Sequence, residues 1–221
     1  MQKRNVQHYP ITDRPVHVTY RLFGSVPKCK LDLLKTKYHL RLDELDLELQ
    51  RNNSRPNVAA TSARRRSIQA WYHNQVDILL HQIKSGPHHL KRAKIAQQVM
   101  SSWNFLQEQG RVKVCSLCIM SNHVHVVLDK PLGVKLVFLD TLMKNHKSFT
   151  GSKGNEILGR RDVPFWAPKY FDRTIRVDGF TPAMWYVLNN AVHAGLVERW
   201  EDWPYAYVHP DYADYFQSKH L

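Results

Sequence analysis

At 221 residues the chain is long enough to bury a real core as one domain, or as one domain with an appended segment. A formal net charge of +13 with 11% aromatic residues points to a polyanionic partner, and the mixture suits single-stranded nucleic acid, where phosphates need cations and bare bases need stacking surfaces. No apolar run reaches membrane-spanning length and no hydrophobic segment follows Met1, so a cytoplasmic protein with no membrane contact is expected; three cysteines, an odd number, argue against a disulfide scaffold.

In chain order, the first clear element is VHVTYRLFG (16–24), where Val16, Val18, Tyr20 and Leu22 alternate with His17, Thr19, Arg21 and Phe23; it is expected to be the central strand of a sheet. Leucines at helical spacing among many charges predict a long amphipathic helix over 28–51. The composition then changes to an aperiodic stretch, 51–67, read as a flexible loop with an Arg64–Arg66 triplet open to phosphates. Two helices are expected near 67–84 and 92–107, separated at Ser85-Gly86-Pro87.

RVKVCSLCIM (111–120) and MSNHVHVVL (120–128) are β-rich and nearly contiguous, which predicts an antiparallel hairpin. Cys115 and Cys118 should point to opposite faces and serve as core packing. In the second strand His123 and His125 share one face about 7 Å apart, a two-point metal site on a rigid support, while Val124, Val126 and Leu128 face the core. A helix over 134–149 ends in Lys144, His146 and Lys147, read as cations near the site. GSKGNEILGRRD (151–162), with Lys153, Arg160 and Arg161, is glycine-rich and basic but lacks the G-K-[ST] ending of a phosphate loop; a mobile contact loop is expected. The chain should return to the sheet over 165–177 with Phe171 and Ile175 inward and Arg173 and Arg176 available to nucleic acid. TPAMWYVLNNAVHAGLV (181–197) predicts a short helix capped by Thr181, with Pro182 in its first turn and Gly195 at its end. Met184, Val187, Leu188 and Ala191 make its apolar stripe, and Tyr186, Asn190 and His193 a polar stripe facing away from the core. The tail clusters Trp200, Trp203, Tyr205 and Tyr207, most simply as packing.

The segments GPHHL…KIAQQV (86–99), CIMSNHVHVVL (118–128), NHKSFTGSKGNEILGR (145–160), FWAPKYFDRTIR (165–176), YVLNNAVHAGLV (186–197) and WEDWPYAY (200–207) occur in one order that resembles the single-tyrosine transposases of the HUH superfamily, specifically those associated with repetitive extragenic palindromes (REP). The resemblance departs at Ala167, Lys169, Ala191 and His193 and leaves the tyrosine and both histidines intact. It implies one transposase domain over 1–221 with a family-variable helical insertion at about 28–107. The expected fold is α+β: an antiparallel sheet with strands near 16–24, 111–120, 122–129 and 170–177, and helices packed on it in a ferredoxin-like arrangement.

A phenol with a reference pKa near 10 is only about one part in a thousand ionised at neutral pH, so it needs help to act as a nucleophile. Magnesium or manganese held by His123, His125 and a third ligand would polarise a scissile phosphate, and Asn190, one turn from Tyr186, offers the oxygen those ions accept; His193 is the other option for the third ligand. By resemblance, Tyr186 is the nucleophile, the substrate is single-stranded DNA with a foldback hairpin, and the product is a 5′-phosphotyrosine. Lys144, Lys147, Lys153, Arg160, Arg161, Arg173, Arg176 and His193 are the expected DNA contacts, and the expected state is a monomer, with a dimer as the alternative. Two other classes fit less well: a non-catalytic domesticated DNA-binding protein, against which the intact Tyr186, His123 and His125 argue, and a replication-initiator or relaxase nickase, whose motifs usually follow another order or include a second tyrosine.

Overall fold

Strand β1 (Val16–Arg21) sorts its side chains by alternation, sending Val16, Val18 and Tyr20 to one face of a sheet and His17, Thr19 and Arg21 to the other. In the computed structural model, which describes residues 10–51 and 57–217, β1 pairs antiparallel with β3 (His123–Asp129) on one side and β4 (Phe171–Thr174) on the other. β3 also pairs with β2 (Lys113–Ile119), and β2 with β5 (Ala206–Val208). Among the described residues the sheet runs β4-β1-β3-β2-β5, so the histidine strand, rather than β1, is central. This is the expected α+β architecture, an antiparallel sheet with packed helices.

Two compact units emerge, one of Gly24–Gly86 and one of the rest. In the sheet unit, Val16, Val18, Tyr20, Leu117, Ile119, Val124, Val126 and Leu128 are buried with residues of α3 (Ala93–Glu108) and α4 (Leu139–Ile157), including Ile95, Val99, Trp103, Leu142 and Met143. α3, although within the 28–107 stretch, therefore belongs to the sheet's own core. The opposite face carries a second core with Val127, Cys115 and Cys118 against Met184, Val187 and Leu188 of α5 (Phe180–Leu188) and Ala191 of α6 (Asn190–His193). Both thiols lie in this core, contrary to the opposite-face expectation. A bulge between Val114 and Ser116 inserts one residue and breaks the alternation there. Burial pushes both thiols up to about 12, as inert packing groups require.

The other unit pairs α1 (Lys28–Arg51) with α2 (Val58–Gln82). The linker expected over 51–67 lies partly in 52–56, outside the described residues, and the remainder is helical from Val58, with the Asn57 side chain accepting the Ala60 amide as an N-cap at 3.1 Å. Arg64 pairs with Glu48 at 2.6 Å and Arg65 pairs with Asp46, so two of the triplet are committed to α1. No described helix is long and apolar enough to cross a membrane.

α4 continues through Gly151 and Gly154, where the sequence suggested a loop. These glycines permit close packing: a Cβ on Gly154 would stand 2.6 Å from Cζ of Phe165 and one on Gly151 3.3 Å from Cδ1 of Trp166. His146 is no surface cation. It is 1% exposed, stacks on Trp103 at 4.1 Å between ring centroids, and sits in a chain in which Trp103 donates to the Tyr20 hydroxyl (3.0 Å) and Tyr20 donates to His146 Nε2 (2.7 Å). Nδ1 then donates to Ser102 Oγ at 2.9 Å.

Burial, and secondarily the charge of Lys147, holds the His146 imidazole down at about 3. The unfolded ring takes up a proton near pH 6.5 and the folded one resists it, so stability is full above pH 6.5 and declines as pH falls toward 3, by on the order of 4 kcal/mol from this residue alone. Urea midpoints measured across that range should fall more steeply for the wild type than for His146→Gln, which cannot titrate; parallel curves would show that His146 is not the source.

Candidate nucleophile and metal site

Register defines the site. In antiparallel pairs, residues directly opposite share a face. His123 is opposite Arg21, His125 is opposite Thr19 on one side and Cys118 on the other, and His17 is opposite Arg173. One face of the sheet thus gathers His17, Thr19, Arg21, His123, His125 and, from the edge strand, Arg173, while the even-numbered residues of β1 and β3 fill the first core.

His123 and His125 are 1% and 0% exposed, with ring centroids 4.8 Å apart and planes at 87°. Each ring is oriented through Nδ1. His123 Nδ1 donates to Asn122 Oδ1 at 2.6 Å, and His125 Nδ1 lies 3.1 Å from His17 Nε2 and 3.0 Å from Thr19 Oγ1. Engaging Nδ1 leaves Nε2 as the nitrogen a metal would take, the arrangement by which outer partners set the tautomer of ligating histidines. The turn between β2 and β3 is braced as well: Leu90 N donates to Ser121 O at 3.1 Å, His88 Nδ1 is 2.8 Å from Ser121 Oγ, and Leu22 N donates to Asn122 O at 2.9 Å.

α5 begins at Phe180 after Gly179, not at a Thr181 cap, and stops at Leu188; Asn189 interrupts it before the four residues of α6, and Gly195 follows in the left-handed region at φ 67°. The stripe of Met184, Val187, Leu188 and Ala191 is buried as expected. Of the polar stripe His193 is exposed as expected, but Tyr186 and Asn190 do not face away from the protein. Tyr186 is half-buried, its ring centroid 5.6 Å from His125 and 5.7 Å from His17, both edge-on, and 6.4 Å from His193. Asn190 is 1% exposed, and among the described residues neither its Oδ1 nor its Nδ2 has a hydrogen-bond partner. A buried amide with both ends unsatisfied costs on the order of 1–3 kcal/mol per group, which a ligand to Oδ1 would partly relieve. Two imidazoles and a carboxamide oxygen are a donor set that suits a borderline-to-hard divalent cation.

The expected DNA contacts divide into two groups. Arg173 is exposed on β4 in register with His17, His193 is exposed beside Tyr186, Arg176 is exposed beyond β4, and Lys144 is exposed on α4. Lys147 instead donates to the carbonyls of Ala167 (2.8 Å) and Pro168 (2.9 Å), and burial, with the charge of Arg21, lowers its ammonium to about 8. Lys153 pairs with Glu156 at 2.8 Å, Arg160 donates to Asn155 Oδ1 at 2.9 Å, and Arg161 is exposed next to it. Sequence reasoning assigned no role to His17, Thr19, Arg21 or Asn122. The signal for the first three was present: they are the polar half of an alternating strand, and a strand polar on a buried face has a use for its polarity.

No family model matches the chain. A Haemophilus influenzae protein provisionally named a REP-associated tyrosine transposase is 25% identical over 107 residues, 43% of this chain; the chain spans 58% of that relative's length. A solved REP-associated tyrosine transposase bound to a REP hairpin superposes with a TM-score of 0.54 at 13% identity, covering 97% of this chain and 88% of the other. In both fold and sequence, then, the chain is similar to REP-associated tyrosine transposases.

Proposed function

We propose that this chain is a metal-dependent endonuclease and strand transferase that cuts single-stranded hairpin DNA through a 5′-phosphotyrosine on Tyr186. The observation that carries the reading is the seating of the Tyr186 ring against His125, on the one sheet face that also holds His123 and, in register, Arg173. The relative bound to a REP hairpin supports the substrate class.

His123 and His125 through Nε2, with Asn190 Oδ1, would hold a magnesium or manganese ion, which when bound supplies Lewis-acid polarisation of the scissile phosphate. The Tyr186 hydroxyl oxygen attacks phosphorus in line; the Tyr–O–P bond forms as the P–O3′ bond breaks, and the proton lost by the phenol is balanced by the one gained by the departing 3′ oxygen. The bond energy is retained in the phosphotyrosine, so a free 3′ hydroxyl can reverse the step without ATP. Arg173 and Lys144, both exposed, supply phosphate contacts that position the strand.

The test is incubation with single-stranded hairpin DNA labelled on either side of candidate cuts, in magnesium or manganese, followed by denaturing electrophoresis. A protein adduct on the fragment bearing the 5′ phosphate, with a free 3′ hydroxyl on the other, is expected. Absence of both nick and adduct in either metal would overturn the reading, and equal cutting of unstructured strands would remove the hairpin from it.

A further inference from the structure

Helix α1 displays Leu33, Leu40 and Leu47 at 57%, 56% and 51% exposure. Seven residues return a helix to within about 20° of its starting direction, so the three leucines form one stripe. α2 does not account for it. The side of α1 that packs within the helical pair carries Leu34, Leu42 and Leu45, all buried, and Arg41, whose guanidinium lies 4.0 Å from the Trp71 ring centroid. On the helical projection that side is centred roughly 140° from the leucine stripe. Exposed leucines at strict seven-residue spacing are what a helix presents to another helix.

Charge along α1 indicates which helix. Lys28, Lys30, Lys35, Lys37 and Arg41 fill its first part, with Asp32 as the lone acid there, whereas Asp43, Glu44, Asp46 and Glu48 fill the following stretch. Two copies in parallel would set like charge against like. Antiparallel, the basic part of one faces the acidic part of the other. A two-fold axis through Leu40 places Leu33 against Leu47 of a second copy and closes the stripe on itself. Lys37 and Glu44 both flank Leu40 on the same side, by about 60° and 40°, one turn before and one turn after it. The same axis therefore brings Lys37 of each copy beside Glu44 of the other, and among the described residues neither side chain has an ion-pair partner.

We propose that α1 is a self-complementary docking surface through which two copies of this chain associate antiparallel, centred on Leu40, in place of the monomer expected from the sequence. The surface is independent of the cleavage chemistry. Three leucines make a small interface beside the ~800 Å² per partner of a standard complex, so the dimer is concentration-dependent.

Sedimentation velocity of the full chain over a concentration series tests it, with circular dichroism to confirm that each variant is folded. The wild type should shift from monomer to dimer with concentration, and Leu40→Lys should lose the dimer across the whole series. Lys37→Glu should weaken association at low salt, and Lys37→Glu combined with Glu44→Lys should restore it, because the exchange recreates both intermolecular pairs. A wild type that stays monomeric throughout, a Leu40→Lys variant that dimerises as the wild type does, or an exchange variant no better than Lys37→Glu would each overturn the proposal.

Discussion

Tyr186→Phe is expected to abolish the covalent protein–DNA adduct while leaving the fold and hairpin binding in place. The substitution removes one oxygen and keeps the ring, so the edge-on contacts with His17 and His125 persist and Val187, Leu188 and Met184 stay buried beside it. Phosphate contacts supply most of the affinity of a basic protein for nucleic acid, and none of them depends on the phenol. Removal of a nucleophile from a positioned site typically lowers turnover by on the order of 10⁴-fold or more, below detection in a gel assay. Other tyrosines are poor substitutes. Tyr20 is buried in the first core, with its hydroxyl bound to Trp103 and His146 and its ionisation driven far upward by burial; Tyr207 accepts from Gln107 at 3.1 Å; Tyr170 donates to Asp140 at 2.5 Å. Peptide mapping of the wild-type adduct should return Tyr186, and an adduct that survives in the Phe variant would assign the chemistry elsewhere.

The parts of this site that were legible in the sequence are those set by local periodicity. Spacing of two in a strand put His123 and His125 on one face, and spacing of three and four in a helix separated Tyr186 from Met184, Val187 and Leu188. Periodicity says which residues share a face, however, and not what covers it. The polar stripe of α5 was therefore expected to look outward, whereas the sheet's histidine face lies under Tyr186 and Asn190 is buried. Strand order is likewise non-local: β1 alternates as strongly as β3, yet β3 is central because two strands lie on each side of it, β1 and β4 on one and β2 and β5 on the other. Gly151 and Gly154 signalled a loop through composition, when their function is to let Phe165 and Trp166 approach the helix, a contact no window of sequence contains. His146 failed as a cation for the same reason, since its partners Tyr20, Ser102 and Trp103 come from two distant elements.

His125→Ala and His123→Ala should each reduce cleavage by three orders of magnitude or more, to roughly the level of the Tyr186 variant, and should leave hairpin binding largely intact. Structural cost must be separated from lost chemistry here, because both rings are buried and deleting either leaves partners behind. Without His125, His17 Nε2 and Thr19 Oγ1 lose a neighbour at 3.1 and 3.0 Å; without His123, Asn122 Oδ1 loses one at 2.6 Å. An orphaned buried polar group costs about 1–3 kcal/mol, enough to lower the denaturation midpoint but small beside the 5–15 kcal/mol that keeps an ordinary domain folded. Activity measured well below that midpoint therefore reports the site. Manganese binding by calorimetry supplies the second readout: the wild type should bind, the two alanine variants should bind far more weakly, and Asn190→Ala should fall between, since water can replace one oxygen ligand but not an imidazole held by its Nδ1 partner. Normal cleavage by both histidine variants in magnesium would show that the pair is core packing in the centre of the sheet and that the catalytic cation, if one is used, is held by other groups.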